Sequence, residues 1–335
     1  MSLTHPTRRQ FLRNTALAGA ALTVPELVQN AHAGVANTSY FDLTQASTNF
    51  FRDVHLQATD HPMQSFAWNP SDWLYILQTR DNAAGDMTLT RLEPDQTQNS
   101  YMILSGAGHG VAMGVDGTSS PAYYWTESEA VDDGSGSAHG RKLQRFHFTA
   151  GATITHSDCE VFDPTIHLEG TTQYQLSCSI DPTYHRIAIR YAKTAAGGTY
   201  YYNVYNLADF NNHNYIPLYS TSIKQPAKPS GAGTPQGWCL YGSWLYMSWG
   251  TYESTCPGTV ASAQTGGSMV GRLNLNSPSA WVGYDSQIGY TLCDREPEGV
   301  GVRVINGVPQ LHFGISGNDT GSGHYASMYY KTAMI

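Results

Sequence analysis

Apolar positions along this chain recur in short runs separated by turn residues, without helical spacing after the N-terminal segment. Leu74-Tyr75-Ile76-Leu77-Gln78, Tyr123-Tyr124-Trp125-Thr126, Ile187-Ala188-Ile189-Arg190, Leu245-Tyr246-Met247-Ser248 and Leu311-His312-Phe313-Gly314 read as buried strands. Each follows a turn and an earlier apolar strand, and four of those earlier strands open on a polar–small–apolar signature. The copies are Gln64-Ser65-Phe66, His109-Gly110-Val111, Gln236-Gly237-Trp238 and Glu298-Gly299-Val300, with a looser copy at Ser177-Cys178-Ser179. A strand-built unit repeating every 45–65 residues or so predicts a radial repeat, an all-β single β-propeller. Five blades of about 60 residues or seven of about 43 would fill the chain, so five to seven blades are expected.

Further strands are predicted at Met87–Leu92, Leu143–Phe148, Tyr201–Tyr205 and Val270–Leu275. Asn306-Gly307 predicts a two-residue hairpin, because both residues tolerate positive φ. Ala326–Tyr330 reads as a closing strand, with Tyr40–Leu43 completing the same blade. The Gly-, Ser- and Pro-rich stretches Asp132–Arg141, Lys224–Thr234 and Thr255–Ser268 read as loops within one domain.

The first 33 residues form a separate unit. Arg8-Arg9 precede an apolar stretch from Ala16 to Val24, and Ala31-His32-Ala33 offers a cleavage point before Gly34, the pattern of a twin-arginine signal. The apolar run is far short of the ~20 residues that span a bilayer. Residues 1–33 are therefore expected to be an export signal and 34–335 the propeller. The expected location is secreted, periplasmic or at the cell surface, with no membrane association after cleavage. The expected assembly is a monomer.

The chain has 335 residues and a formal charge of −8; without residues 1–33 it keeps 15 basic and 25 acidic side chains. That balance argues against nucleic acid as a partner. The 22 tyrosines and 7 tryptophans suit strands and also suit stacking on sugar rings. The five cysteines, Cys159, Cys178, Cys239, Cys256 and Cys293, show no C-x-x-C spacing, and the odd count leaves at least one unpaired.

Because equivalent positions of a propeller converge on its axis, Gln64, His109, Gln236 and Glu298 are expected in one pocket. His109 stands between Gly108 and Gly110, and its imidazole would exchange a proton near neutral pH or be tied to backbone carbonyls. Arg190 lies in an apolar strand and needs a partner: a uronate carboxylate held in a bidentate fork, or Glu296 or Glu298. Glu296 and Glu298 would hold a cation such as calcium, accept sugar hydroxyls or neutralise Arg190. Gln64 and Gln236 suit hydroxyl binding. Tyr191, Tyr241 and Trp238 would stack on sugar or serve the core. No G-x-S-x-G, P-loop or H-E-x-x-H motif occurs.

Gly106–Val115, the Ile187–Tyr191 strand, Pro235-Gln236-Gly237-Trp238 and Arg295-Glu296-Pro297-Glu298-Gly299-Val300 resemble one family. It comprises secreted proteins labelled teichoic acid biosynthesis protein C-like, whose propeller is shared with phage receptor-binding proteins and with lyases that remove terminal rhamnose from rhamnosyl-glucuronate caps. The resemblance covers about residues 40–332. It implies a sugar pocket on the axis and highlights His109, Arg190, Gln236 and Glu298. Asp116 departs from the pattern, which has a longer acidic residue there. The expected function is an exported polysaccharide lyase acting on a uronate-containing glycan by β-elimination: Arg190 would stabilise the substrate carboxylate, His109 would exchange the proton as base or acid, and a tyrosine such as Tyr191 would supply the other transfer. A non-catalytic glycan-binding propeller is the alternative, and glycoside hydrolysis by carboxylates a third.

Overall fold

The computed structural model describes residues 34–335 apart from 133, 135, 171, 196–197, 254–267 and 319–324. Residues 1–33, expected to be an export signal, and nearly all of the loop Thr255–Ser268 lie outside the described residues. Five antiparallel sheets stand around one axis, so the count within the expected range is five. Blade 1 runs outward through Met63–Trp68, Leu74–Asp81, Asp86–Leu92 and Gln98–Leu104, with Thr153–Ile154 added in parallel at its edge. Blade 2 is Gly114–Asp116, Tyr123–Ser128, Lys142–Phe146 and Glu160–Phe162; blade 3 is Tyr174–Asp181, Arg186–Ala192, Tyr200–Asn206 and Ile223–Lys224. Blade 4 is Thr234–Tyr241, Trp244–Gly250, Met269–Asn274 and Val282–Asp285. Blade 5 joins both ends of the chain: Cys293–Ile305, Val308–Asn318 and Tyr325–Lys331, then Thr48–His55 outermost.

The closing strand is thus Thr48–His55, paired antiparallel with Tyr325–Lys331, and not Tyr40–Leu43. Phe41 instead makes an isolated bridge to Met334, with Tyr40 and Ile335 exchanging backbone hydrogen bonds. The outer edge is Thr48–His55, whose Phe51 is buried against the sheet at 6% exposed.

The apolar runs look continuous because both faces of each blade are covered. Five buried clusters result, one in each gap between neighbouring blades. Met63, Phe66, Ile76 and Phe51 fill the gap between blades 5 and 1, for example, and Val204, Trp238, Leu240 and Met247 that between blades 3 and 4. Inner strands touch their neighbours all the way round, so the ring is closed. The Asn306-Gly307 hairpin forms with both residues in the left-handed region, φ 51° and 78°.

Candidate functional site

Four of the five inner strands carry an extra residue relative to their partner strand at one level, and that of blade 5 a second between Cys293 and Glu296. The irregularities fall between Met63 and Ser65, Tyr174 and Ser177, Pro235 and Trp238, and Pro297 and Val300. The polar–small–apolar signature is therefore a β-bulge, which releases the polar residue from the ladder and turns it toward the axis. In blade 3 the bulge holds Gln175-Leu176, so the equivalent copy is Gln175-Leu176-Ser177, two residues before the expected Ser177-Cys178-Ser179. Gln175 turns into its own blade, donating to the Ala195 carbonyl and accepting from the Tyr200 hydroxyl.

The small residue answers to the neighbouring blade. A Cβ on Gly237 would come within 2.6 Å of the Glu298 carbonyl oxygen and the Val300 nitrogen, and one on Gly299 within 2.9 Å of Ser65 Cα. Ser65 Oγ in turn donates to the Gly110 carbonyl at 2.6 Å, and Ser248 Oγ to the Glu298 carbonyl at 2.6 Å. These contacts tie the inner strands together at the level of the bulges.

Blade 2 reaches the same level differently. Its inner strand begins only at Gly114, and His109 is placed by the loop before it. Beneath the loop lies Glu127, 1% exposed, whose carboxylate accepts the backbone N–H groups of His109 (3.0 Å), Gly110 (3.0 Å), Val111 (3.3 Å) and Gly140 (2.9 Å). A side chain at Gly108 would collide with that carboxylate, which explains the glycine before the histidine. Nothing in the sequence pattern marked Glu127.

A cavity of about 400 Å³ opens at the bulge end of the axis, lined by Gln64, His109, Gln236, Glu296 and Glu298 together with His61, Thr79, Asn82, Thr234 and Tyr252. Glu298 is 2% exposed and its carboxyl has no hydrogen-bond partner among the described residues. Burial pushes it well above its ordinary 4.5, and the charge of Glu296 adds to the shift. Burial also raises Glu296, partly offset by the Gln236 amide that donates to its Oε1 at 3.2 Å. His109 is shifted the other way: burial holds its pKa below 6.5, and the neighbouring His139 and the more distant Arg190 charge act in the same direction, against Glu127. Its ring lies 5.1 Å from that of His139, and its buried Nδ1 has no hydrogen-bond partner among the described residues. The cavity thus carries an imidazole and a carboxyl that burial biases toward their neutral forms, on one polar surface.

Three expected site residues lie elsewhere. Arg190 is 3% exposed and outside the lining, packed over Tyr200 and Trp238 at 4.4 and 5.7 Å, and it makes no salt bridge to Glu296 or Glu298. Trp238 is core, its Nε1–H donating to Ser177 Oγ at 3.1 Å. Tyr191 is also core, its hydroxyl donating to Ser222 and accepting from the Glu169 N–H. For Trp238 this follows from the alternation, which resumes beyond the bulge and sends its ring between blades, whereas Tyr191 stands on the unbulged second strand of blade 3. Tyr241 lies in the core between blades 4 and 5. Asp116 belongs to the opposite end, accepting from Thr118 and Asn211. For calcium the fit is poor: two carboxyls that burial favours in the neutral form, and no group of three or more His, Cys, Asp or Glu among the described residues suited to a metal. Cys159, Cys178 and Cys239 are free thiols, and Cys293 is disulfide-bonded.

The axis is filled below the cavity, where Phe66, Met113, Cys239 and Val300 leave only about 30 Å³. A second cavity of about 380 Å³ lies at the far end among the hairpin turns, beside the bidentate Arg303–Asp72 pair.

No curated protein matches the chain. In fold it is similar to the tail fibre of Staphylococcus aureus phage P68, with a TM-score of 0.63 and 15% identity over 87% of this chain; the chain spans 54% of that protein. An α-L-arabinofuranosidase from Lactobacillus brevis is more distant, at TM-score 0.45 and 10% identity over 84% of this chain and 92% of that one. A Trypanosoma rangeli sialidase mutant displaying trans-sialidase activity has TM-score 0.37 and 9% identity, over 90% and 60%. Residues 62–323 match the phage five-bladed β-propeller receptor-binding platform domain, and the chain belongs to that family.

Proposed function

We propose that the chain is an exported carbohydrate-active propeller whose bulge-end cavity cleaves a uronate-containing glycan, of rhamnosyl-glucuronate type, by β-elimination. The observation that carries this reading is that His109 and the buried Glu298 line one cavity, where burial lowers the imidazole pKa and raises that of the carboxyl, biasing both toward their neutral forms. A site that only binds sugar has no need of that combination, whereas proton transfer to and from a substrate does.

In the reaction the neutral His109 imidazole takes the C5 proton of the uronate. The C5–H electron pair forms the C4–C5 double bond, the C4–O bond breaks, and Glu298 delivers its proton to the departing oxygen. Gln64 and Gln236 supply amide donors to the substrate carboxylate and hydroxyls. Arg190 acts through His109: its charge opposes protonation of the imidazole. Tyr191 and Trp238 take no part.

The second reading, a glycan-binding propeller without chemistry, is favoured by the family itself, described as a receptor-binding platform. Incubation of the chain lacking residues 1–33 with gum arabic and a panel of uronate glycans separates the readings. β-Elimination yields an unsaturated product absorbing in the near ultraviolet, abolished by His109→Ala. Binding without turnover that survives His109→Ala selects the second reading, and release of a reducing sugar with no unsaturated uronate selects hydrolysis.

A further inference from the structure

Tyr252 was not marked by the sequence pattern, and its ring is the only benzenoid one among the described residues lining the bulge-end cavity. It is 48% exposed, while the other aromatic rings expected to meet sugar are packed in the core. An exposed tyrosine on a loop normally samples several rotamers, but this one is held at both ends. Its hydroxyl donates to Asp294 Oδ1 at 2.8 Å, and the next residue, Glu253, donates its N–H to the Arg295 carbonyl at 3.0 Å in an isolated bridge. Asp294 and Arg295 begin the strand that also carries Glu296 and Glu298, so the ring is fixed in register with the carboxyls. Asp294 itself is in the left-handed region at φ 49°, a conformation non-glycine residues adopt at a cost.

We infer that Tyr252 is a preset stacking platform for a pyranose ring, holding the sugar adjacent to the bond presented to His109 and Glu298. The inference rests on the functional reading above and deepens it. The remaining lining residues offer amides, hydroxyls, imidazoles and carboxyls, which grip the polar rim of a sugar; the tyrosine face covers the apolar C–H side. A ring already immobilised loses little rotamer freedom on binding, so more of the stacking appears as affinity.

The test uses a rhamnosyl-glucuronyl-galactose methyl glycoside, titrated calorimetrically against the His109→Ala protein so that nothing is consumed. In that background Tyr252→Ala is expected to weaken binding about tenfold, and Tyr252→Phe to stay within about threefold. In the wild-type background Tyr252→Ala raises KM and leaves kcat. Unchanged affinity in Tyr252→Ala overturns the platform, and so does an equal loss in both variants, which would make the phenol hydrogen bond the working element. A wild-type protein that neither cleaves nor binds any uronate oligosaccharide overturns the functional reading, and the platform with it.

Discussion

The Glu127 carboxylate accepts the backbone N–H of His109 at 3.0 Å and binds three further N–H groups around the same loop. One buried anion therefore sets both the position of the imidazole and part of its electrostatic surroundings. Glu127→Gln keeps the shape but turns an amide N–H₂ against backbone donors. It is expected to destabilise the protein by about 3 kcal/mol or more and to lower activity further than stability alone explains. Urea unfolding together with kcat/KM at matched folded fraction checks this. A variant as stable and active as the parent removes Glu127 from the positioning role.

Activity is expected to rise with pH as His109 loses its proton, at a pH below 6.5, and to fall as Glu298 ionises, at a pH well above 4.5. Stability carries the same groups with definite sign. The folded-state pKa of Glu298 is raised, so its contribution is complete below about 4.5 and is lost as pH climbs toward the raised value. Glu298→Gln should then flatten the loss of Tm above 4.5, which thermal scans across pH would show. For His109 the folded pKa is depressed, so stability falls as pH drops below 6.5, where the unfolded imidazole charges first.

Arg190 has two buried guanidinium nitrogens, Nε and Nη1, without hydrogen-bond partners among the described residues. Arg190→Met removes a charge that opposes protonation of His109, so the imidazole should titrate at higher pH and the acid limb of the activity profile should move up. An NMR titration of the His109 ring reads this directly. Global stability should change little, since the stacking on Tyr200 and Trp238 that is lost is offset by replacing a buried charge with an apolar chain of similar length.

Gly237 and Gly299 stand back to back where two inner strands meet. Gly237→Ala must displace backbone on the neighbouring blade and should cost about 3 kcal/mol or more. Gly307→Ala, with open space around it but φ of 78°, should cost only about 1 kcal/mol. Denaturant midpoints of the pair separate close approach from backbone conformation.

Ring closure depends on the strand Thr48–His55, and Phe51 is its buried anchor between blades 5 and 1. Phe51→Ala should cost about 3–5 kcal/mol and expose the Tyr325–Lys331 edge. Hydrogen exchange should then show protection lost first in Tyr325–Lys331; retained protection there would mean the ring closes by other contacts.

Much of this was legible in the chain. The repeating Gln/Glu-small-apolar signature marked the bulge in three of the five blades, and glycine or serine at its second position follows from inner strands that nearly touch. His109 was legible from its flanking glycines. What remained for the tertiary structure to decide was direction. One inserted residue resets the alternation of the strand, so Gln236 turns to the cavity while Trp238, two positions on, turns into the core, and Gln175 folds into its own blade. Arg190 could be read as a charge needing a partner, yet only packing shows it stacked on Tyr200 outside the cavity. Glu127 and Tyr252 carry no local signal: Glu127 acts on loops that the folding of blade 2 brings beneath it, and Tyr252 on Asp294 of the next blade. Local spacing fixes which residues can form a strand or a bulge; where their side chains point and what they meet depends on how five separately encoded sheets close on one axis.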